Sequence, residues 1–108
     1  MSIVKICVTV PVEYAEKIRQ VLGESGAGVI GEYSFCSVSY PIKGRFLASD
    51  KANPTIGTNG QLEVVDEEMI EVQCDRKIAK EVLAKLRQAH PYEEPAIDIY
   101  ELLDEGRL

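Results

Sequence analysis

Apolar side chains occupy every second position in residues 3–10 and alternate with Lys5, Cys7 and Thr9. Alternation with a period of two in β-branched residues predicts a strand that is buried on one face. Pro11 ends this strand, and its fixed φ suits the first turn of a helix. The next apolar residues recur at helical spacing and are followed by glycines, which predicts a helix and its end. They are Tyr14, Ala15, Ile18, Val21 and Leu22, then Gly23, Gly26 and Gly28.

Two more strands are predicted in the middle of the chain, on either side of a long loop. Residues 33–40 are rich in aromatic and small side chains. Both alternating sets contain an aromatic residue, so either face of this second strand can point inward. Residues 41–60 carry two prolines and three glycines and are predicted as the loop. Residues 61–74 are predicted as the third strand, either unbroken or with a turn or bulge at 66–68.

A second helix and a last strand complete the pattern. Asp75 is a residue type that caps helix N-termini. An apolar stripe at helical spacing follows it: Ile78, Ala79, Val82, Leu86 and Ala89. This helix must end near His90, because the residue before Pro91 disfavours the α region. Residues 96–102 then alternate again and predict the fourth strand.

The element order is strand, helix, strand, strand, helix, strand, which predicts an α+β domain of the ferredoxin-like βαββαβ type. Both helices should cover one face of a four-stranded antiparallel sheet. We expect residues 1–103 to form this single domain and residues 104–108 to be a frayed tail. The other sheet face is expected to be bare, and either solvated or a polar subunit interface. It would carry Lys5, Thr9, Glu71, Gln73, Asp98 and Tyr100, with Cys7 and Met69 among them.

Charge and cysteine content narrow the class of partner. The chain has 18 acidic and 12 basic residues, a net charge of -6, and its lysines are scattered among acids. Nucleic acid and anionic membrane are therefore not expected as partners, because both require clustered Lys and Arg. No stretch approaches the roughly 20 apolar residues of a membrane helix. The three cysteines include no CxxC pair, so we expect a reducing cytoplasm and no disulfide framework.

Two segments carry the candidate chemistry. Residues 90–100 read His-Pro-Tyr-Glu-Glu-Pro-Ala-Ile-Asp-Ile-Tyr. They are interpreted either as a rigid connector or as a place where His90, Glu93 and Glu94 converge for proton transfer or metal binding. The 41–60 loop is longer than structureless loops usually are, so it is interpreted as an extended hairpin arm that pairs with a neighbouring subunit or as a binding loop. The candidate ligand-binding residues are Lys43, Arg45, Asn53, Gly57, His90, Tyr92, Glu93 and Glu94, with His90 and Glu93 as candidate metal ligands.

No catalytic residue can be named from the sequence, because neither a nucleophile–base pair nor an acid–base pair is evident. Thiolates select Cu(I), but the predicted faces separate Cys7, on the polar face of the first strand, from Cys74, on the apolar face of the third. The face of Cys36 is left open. The glycines of the 41–60 loop match no phosphate-binding motif. We therefore do not expect enzymatic activity, and the sequence names no cofactor.

Three ordered blocks resemble the inserted domain of Nif-three-like proteins. They are residues 90–100, residues 52–63 with Ala-Asn-Pro-Thr-Ile-Gly and Gly-Gln-Leu-Glu, and residues 28–37. The His-Pro-Tyr-Glu-x-Pro piece also resembles the end of CutA proteins. The resemblance implies a CutA/PII-like domain that often forms a homotrimer, in which the loop comparable to 41–60 contacts ligands and partners. It also implies that the di-metal centre of the larger family lies in a flanking domain outside these residues.

We consider three functions, the first from the exposed edge of the second strand and the long 41–60 segment, and the other two from this resemblance. The first is a non-catalytic, trimeric ligand-sensing, regulatory or interaction module with a small-molecule or protein partner. The second is a copper- or zinc-binding protein resembling CutA, with His90, Glu93 and the cysteines as ligands. The third is an accessory subunit related to Nif-three-like metal-dependent hydrolases.

Overall fold

The computed structural model describes residues 2–108 as a four-stranded antiparallel sheet with two helices. The strands are β1 (Ile3–Pro11), β2 (Val38–Leu47), β3 (Leu62–Asp75) and β4 (Ile97–Glu101); the helices are α1 (Ala15–Glu24) and α2 (Arg76–Ala89). The strand order is β2-β3-β1-β4. The predicted βαββαβ fold is confirmed. A short 3-10 turn at Val12–Tyr14 precedes α1, and a second one at Glu105–Arg107 follows β4.

The hydrophobic core lies between the sheet and the two helices, as the alternation in β1 predicts. The core residues of β1 and β3 share one sheet face and pack against the helices. They are Val4, Ile6, Val8, Val10, Ile70, Val72 and Cys74, with Ile18, Leu22, Val82 and Leu86 from the helices. Each fully buried aliphatic side chain contributes about 1.5–3 kcal/mol of transfer free energy, so this layer holds the helices on the sheet.

Helix α2 begins and ends where its sequence indicates. The Asp75 carboxylate accepts a 3.0 Å hydrogen bond from the backbone N–H of Lys77 and so caps the first turn. The helix ends at Ala89, and His90 has extended backbone angles immediately before Pro91. Both predicted boundaries are confirmed.

The prediction of a strand over residues 33–40 was wrong, because β2 begins only at Val38. Residues 25–37 instead form a loop, in which Phe35 has a φ of 58° that no strand allows. The Phe35 ring lies over Gly23, where an added Cβ would fall 2.0 Å from the ring. The contact explains the glycine at position 23, which is therefore not the end of α1: the helix continues to Glu24.

The prediction of a loop over residues 41–60 was also wrong in its first third. Strand β2 continues through Pro41 to Leu47, so Lys43 and Arg45 lie on a strand and only residues 48–61 connect β2 to β3. Pro41 is compatible with this strand because β2 is at the edge of the sheet. The register is constant along β3, with Val38 opposite Glu71 and Leu47 opposite Leu62, so the bulge considered for residues 66–68 does not form.

The sheet face opposite the helices carries the residues predicted for it. Pairing with β3 places Lys5, Cys7 and Thr9 beside Gln73, Glu71 and Met69, in that order. Pairing with β4 places Lys5 beside Tyr100 and Cys7 beside Asp98. Strand β2 adds Val38, Tyr40 and Ile42 to the same face. The sequence left open which face of this strand points inward, and the structure places Tyr40 on the side away from the helices. The face without helices, called the open face below, is therefore only partly polar.

Candidate functional site

A cavity of about 480 Å³ lies at one end of the open face. Its floor is the sheet, and its walls are the loop over residues 48–60 and the connector over residues 91–96. The apolar part of the lining comes from Ile42, Phe46, Ala52, Pro54, Ile56 and Ala96. Concave, mainly apolar sites of this size with a few polar groups are typical of small-molecule binding.

Glu67 is the polar group at the floor of this cavity, and only 4% of its surface is exposed. Successive side chains of a strand point to opposite faces of the sheet. The next residue, Glu68, points to the helices, where Arg19 of α1 donates a 2.8 Å hydrogen bond to it. Glu67 therefore points to the open face. There the Tyr92 hydroxyl donates a 2.8 Å hydrogen bond to Glu67 Oε2.

Gly44 leaves the space that the Glu67 carboxylate occupies. A Cβ added at Gly44 would lie 1.8 Å from Glu67 Oε1, which no real contact permits. A glycine inside a strand commonly marks such a close approach. The missing side chain at Gly44 of β2 therefore makes room for the carboxylate of Glu67 of β3.

Tyr92 forms the wall next to Glu67. Its ring packs edge-on against Phe46, with ring centroids 6.2 Å apart, and lies 5.2 Å from the ring of His90. Burial, together with the hydrogen bond to Glu67, raises the pKa of Tyr92 well above its usual value. The hydroxyl therefore stays protonated at neutral pH and acts as a donor.

His90 lies beneath this wall and has both ring nitrogens engaged. Its Nε2–H donates a 2.8 Å hydrogen bond to the Thr9 carbonyl, and its Nδ1 accepts one of 3.1 Å from the backbone N–H of Tyr92. A carbonyl oxygen can only accept, so the proton of the neutral ring is on Nε2. Burial lowers the pKa of His90 and favours this neutral form.

The long loop and the connector are joined directly. The backbone N–H of Asn53 donates a 3.1 Å hydrogen bond to Glu93 Oε1, and the Thr55 hydroxyl donates one of 2.6 Å to the Pro91 carbonyl. These contacts join the two walls of the cavity to each other. They bring together two segments that are about 40 residues apart in the sequence.

The structure separates the candidate ligand-binding residues into two groups. Arg45, Tyr92, Glu93 and Glu94 line the cavity, and Asn53 is bonded to one of them. Three others lie outside the lining. Lys43 pairs with Asp66, Gly57 packs against Glu63, and His90 is buried behind Tyr92.

Sequence reasoning missed Glu67 and Gly44. Glu67 stands in the acidic run Asp66-Glu67-Glu68, for which the sequence left a turn or bulge open. A glycine in the middle of a strand indicates a close approach of another group. Gly44 could be recognised as such a glycine only once β2 was known to extend to Leu47.

No group of three or more His, Cys, Asp or Glu side chains in residues 2–108 is arranged to hold a metal ion. The cysteines are free, and Cys7 and Cys74 are buried on opposite sheet faces, as predicted. No helix within the described residues is long and apolar enough to cross a membrane.

Comparison with known proteins gives a consistent relationship. No family model matches the chain. It is 48% identical over 99 residues to a Mycobacterium tuberculosis protein named GTP cyclohydrolase 1 type 2 homolog, and 46% identical over 96 residues to the Bacillus subtilis protein of that name. These alignments cover 92% and 89% of this chain but 26% of each relative, so the chain spans about a quarter of their length.

Solved structures agree with the sequence relatives. A Bacillus cereus protein related to NIF3 superposes with a TM-score of 0.83 at 39% identity, over 95% of this chain and 26% of that one. The periplasmic divalent cation tolerance protein CutA from Archaeoglobus fulgidus superposes with a TM-score of 0.66 at 25% identity, over 95% of this chain and 84% of that one. The chain is therefore a CutA/PII-like domain with the ferredoxin-like fold, related in sequence to a one-quarter-length segment of Nif-three-like proteins.

Proposed function

We propose that this chain is a non-catalytic, homo-oligomeric module of the CutA/PII-like class that senses a ligand or binds a partner, with a trimer as the favoured assembly. The observation that carries the proposal is the open face. Beyond the cavity it leaves Val38, Tyr40 and Tyr100 exposed, and Val38 retains 61% of its accessible surface. Exposed apolar patches of this kind typically mark interaction sites.

The charges on the open face suit a second copy of the same chain. Lys5 Nζ lies 3.4 Å from Glu71 Oε1, and the Tyr40 hydroxyl donates a 2.6 Å hydrogen bond to Glu71 Oε2. The hydrogen bond from Tyr40 lowers the pKa of Glu71, so the pair stays ionised. Because the Lys5–Glu71 pair is neutral as a whole, it does not oppose the approach of a second copy despite a net charge of -6 per chain.

The unpaired edges of the sheet also support assembly. Strands β2 and β4 are at the two edges, so each has one side that no strand among residues 2–108 pairs with. Unpaired edges are blunted, covered or paired in stable proteins. Edge pairing combined with burial of the open face would produce a closed, symmetric assembly.

The test is the oligomeric state in solution. We expect sedimentation velocity and light scattering at micromolar concentration to give a trimer mass, and Val38→Glu to shift the protein toward monomer. Val12→Glu is the matched control, because Val12 is also exposed but lies in the turn before α1 and not on a strand of the open face. Only monomer in the unmodified protein would refute the oligomeric part of the proposal.

Catalysis and metal handling are distinguished from this proposal by two assays. The sequence relatives are named for GTP cyclohydrolase, and we expect no turnover of GTP by this chain with or without divalent metal. The Archaeoglobus fulgidus neighbour is named for divalent cation tolerance, but in this chain both nitrogens of His90 are hydrogen-bonded. We therefore expect no copper or zinc to remain after loading and gel filtration. Turnover, or stoichiometric retained metal, would contradict the proposal.

A further inference from the structure

We propose that the cavity above Glu67 binds a small organic cation, such as an amine, whose N–H group donates to the Glu67 carboxylate and whose apolar body lies against Phe46 and Ile56. This inference rests on the ligand-sensing part of the proposed function and specifies the class of ligand.

The first support is the hydrogen bonding of Glu67. Its Oε2 accepts from Tyr92, but Oε1 accepts a hydrogen bond from no residue between 2 and 108. Within the same residues, no fully buried side-chain oxygen or nitrogen lacks a partner. Oε1 is therefore in contact with the cavity and not sealed in the protein. A carboxylate oxygen that has lost most of its water and has no donor is poorly satisfied, so a ligand that donates to it binds favourably.

The second support is the sign of the charges around the cavity. Glu67, Glu93 and Glu94 line it, and Arg45 is the one basic residue in the lining. An excess of carboxylates disfavours phosphates and other anions and favours a positively charged group. The ligand is therefore expected to be cationic and not a nucleotide.

The third support is the size and polarity of the space. The lining is mainly apolar, and the cavity volume of about 480 Å³ is within the range of sites for small organic ligands. A single metal ion would leave most of this volume unfilled, and residues 2–108 contain no three-ligand group for it. A cation attached to a compact ring or branched chain uses both the carboxylate and the apolar walls.

The probe for the experiment is benzylammonium, with benzyl alcohol as its uncharged counterpart. Thermal-shift and calorimetric titrations of the full chain should show saturable binding of benzylammonium, with a rise in Tm. Benzyl alcohol, inorganic phosphate and ATP should bind at least tenfold more weakly. Equal binding of the alcohol, or tighter binding of phosphate or ATP, would overturn the cation assignment.

Two variants test the location of the site. Glu67→Gln keeps an acceptor for Tyr92 but removes the charge, so benzylammonium affinity should fall at least tenfold. Ala52→Phe adds a ring to the loop wall of the cavity and should also abolish binding. Glu81→Gln, an exposed change on α2, is the matched control and should bind as the unmodified protein does. Unchanged affinity in folded Glu67→Gln or Ala52→Phe protein would overturn the site.

The result is separable from that of the proposed function. A trimer that binds none of the probes would refute the cation site and leave the assembly intact. A monomer that binds benzylammonium would refute the assembly and leave the site intact.

Discussion

The hydroxyl group of Tyr92 donates a 2.8 Å hydrogen bond to a buried carboxylate oxygen of Glu67. The two residues come from different parts of the fold, since Tyr92 lies in the connector after α2 and Glu67 lies in the middle of β3. This single contact joins the wall of the cavity to its floor. The site therefore depends on the docking of the connector onto the sheet.

Removing this hydroxyl should destabilise the protein. A hydrogen bond to a charged group contributes about 1.5–3 kcal/mol, and its loss leaves the Glu67 carboxylate without a donor. We expect Tyr92→Phe to lower the free energy of unfolding by about that amount, as measured by urea denaturation. Tyr33→Phe is the control, because Tyr33 is 75% exposed, and its effect should stay within about 0.5 kcal/mol. Equal effects of the two changes would contradict the role of the contact.

Gly44 and Glu67 should be energetically coupled. A Cβ at Gly44 collides with Glu67 Oε1, so Gly44→Ala should cost about 1–3 kcal/mol in urea denaturation, as overpacking does elsewhere. In a Glu67→Ala background the colliding atoms are absent, and the same change should cost much less. The resulting double-mutant cycle should give a coupling energy above about 0.5 kcal/mol.

The control for this cycle is Gly106→Ala, where the nearest atom to an added Cβ is 3.5 Å away. That change should be close to neutral in both backgrounds. If Gly44→Ala costs the same with and without Glu67, the close approach of the two residues is not what selects glycine.

The stability of the protein should depend on pH through His90, the only histidine. Burial lowers its pKa in the folded protein below the value of 6.5 that applies to the unfolded chain. The unfolded chain therefore binds the proton at a higher pH than the folded protein does. As a result, the free energy of unfolding is highest above pH 6.5 and falls as the pH drops through the folded-state pKa.

The variant His90→Gln tests this dependence. Glutamine can still donate to the Thr9 carbonyl but does not titrate, so the slope of stability against pH between about 7.5 and 5 should become shallower. Lys80→Gln, an exposed change on α2, should keep the slope of the unmodified protein. Urea denaturation across this pH range gives the measurement, and an unchanged slope in His90→Gln would disprove the assignment.

The three cysteines should differ in reactivity. Cys7 and Cys74 are buried, and burial raises the pKa of both thiols, which reduces the thiolate that reacts. Cys36 lies in the loop before β2 and is only partly buried. With Ellman's reagent we expect one fast thiol in the native protein and three in denaturant. A fast phase that survives in Cys36→Ser would show that a buried thiol is accessible.

Local patterns in the sequence determined most of the fold. The alternation in residues 3–10 assigned the buried and open faces of β1 correctly, because each β-strand turns successive side chains to opposite sides. Asp75 and Pro91 marked the limits of α2, because capping and the restriction before proline act within a few residues. The faces of Cys7 and Cys74 followed from the same alternation.

The tertiary structure decided the position of β2 and the composition of the site. Residues 41–47 have a loop-like composition, yet pairing with β3 makes them a strand, because cross-strand contacts outweigh weak local preferences. Glu67 fell at a turn or bulge considered from the sequence, whereas this pairing placed it beside Gly44 and the connector brought Tyr92 to it. The sequence by itself determined which residues alternate, cap and turn, since those effects are local. Only the folded chain determined that Gly44, Glu67 and Tyr92 meet, because their contact depends on segments far apart in the sequence.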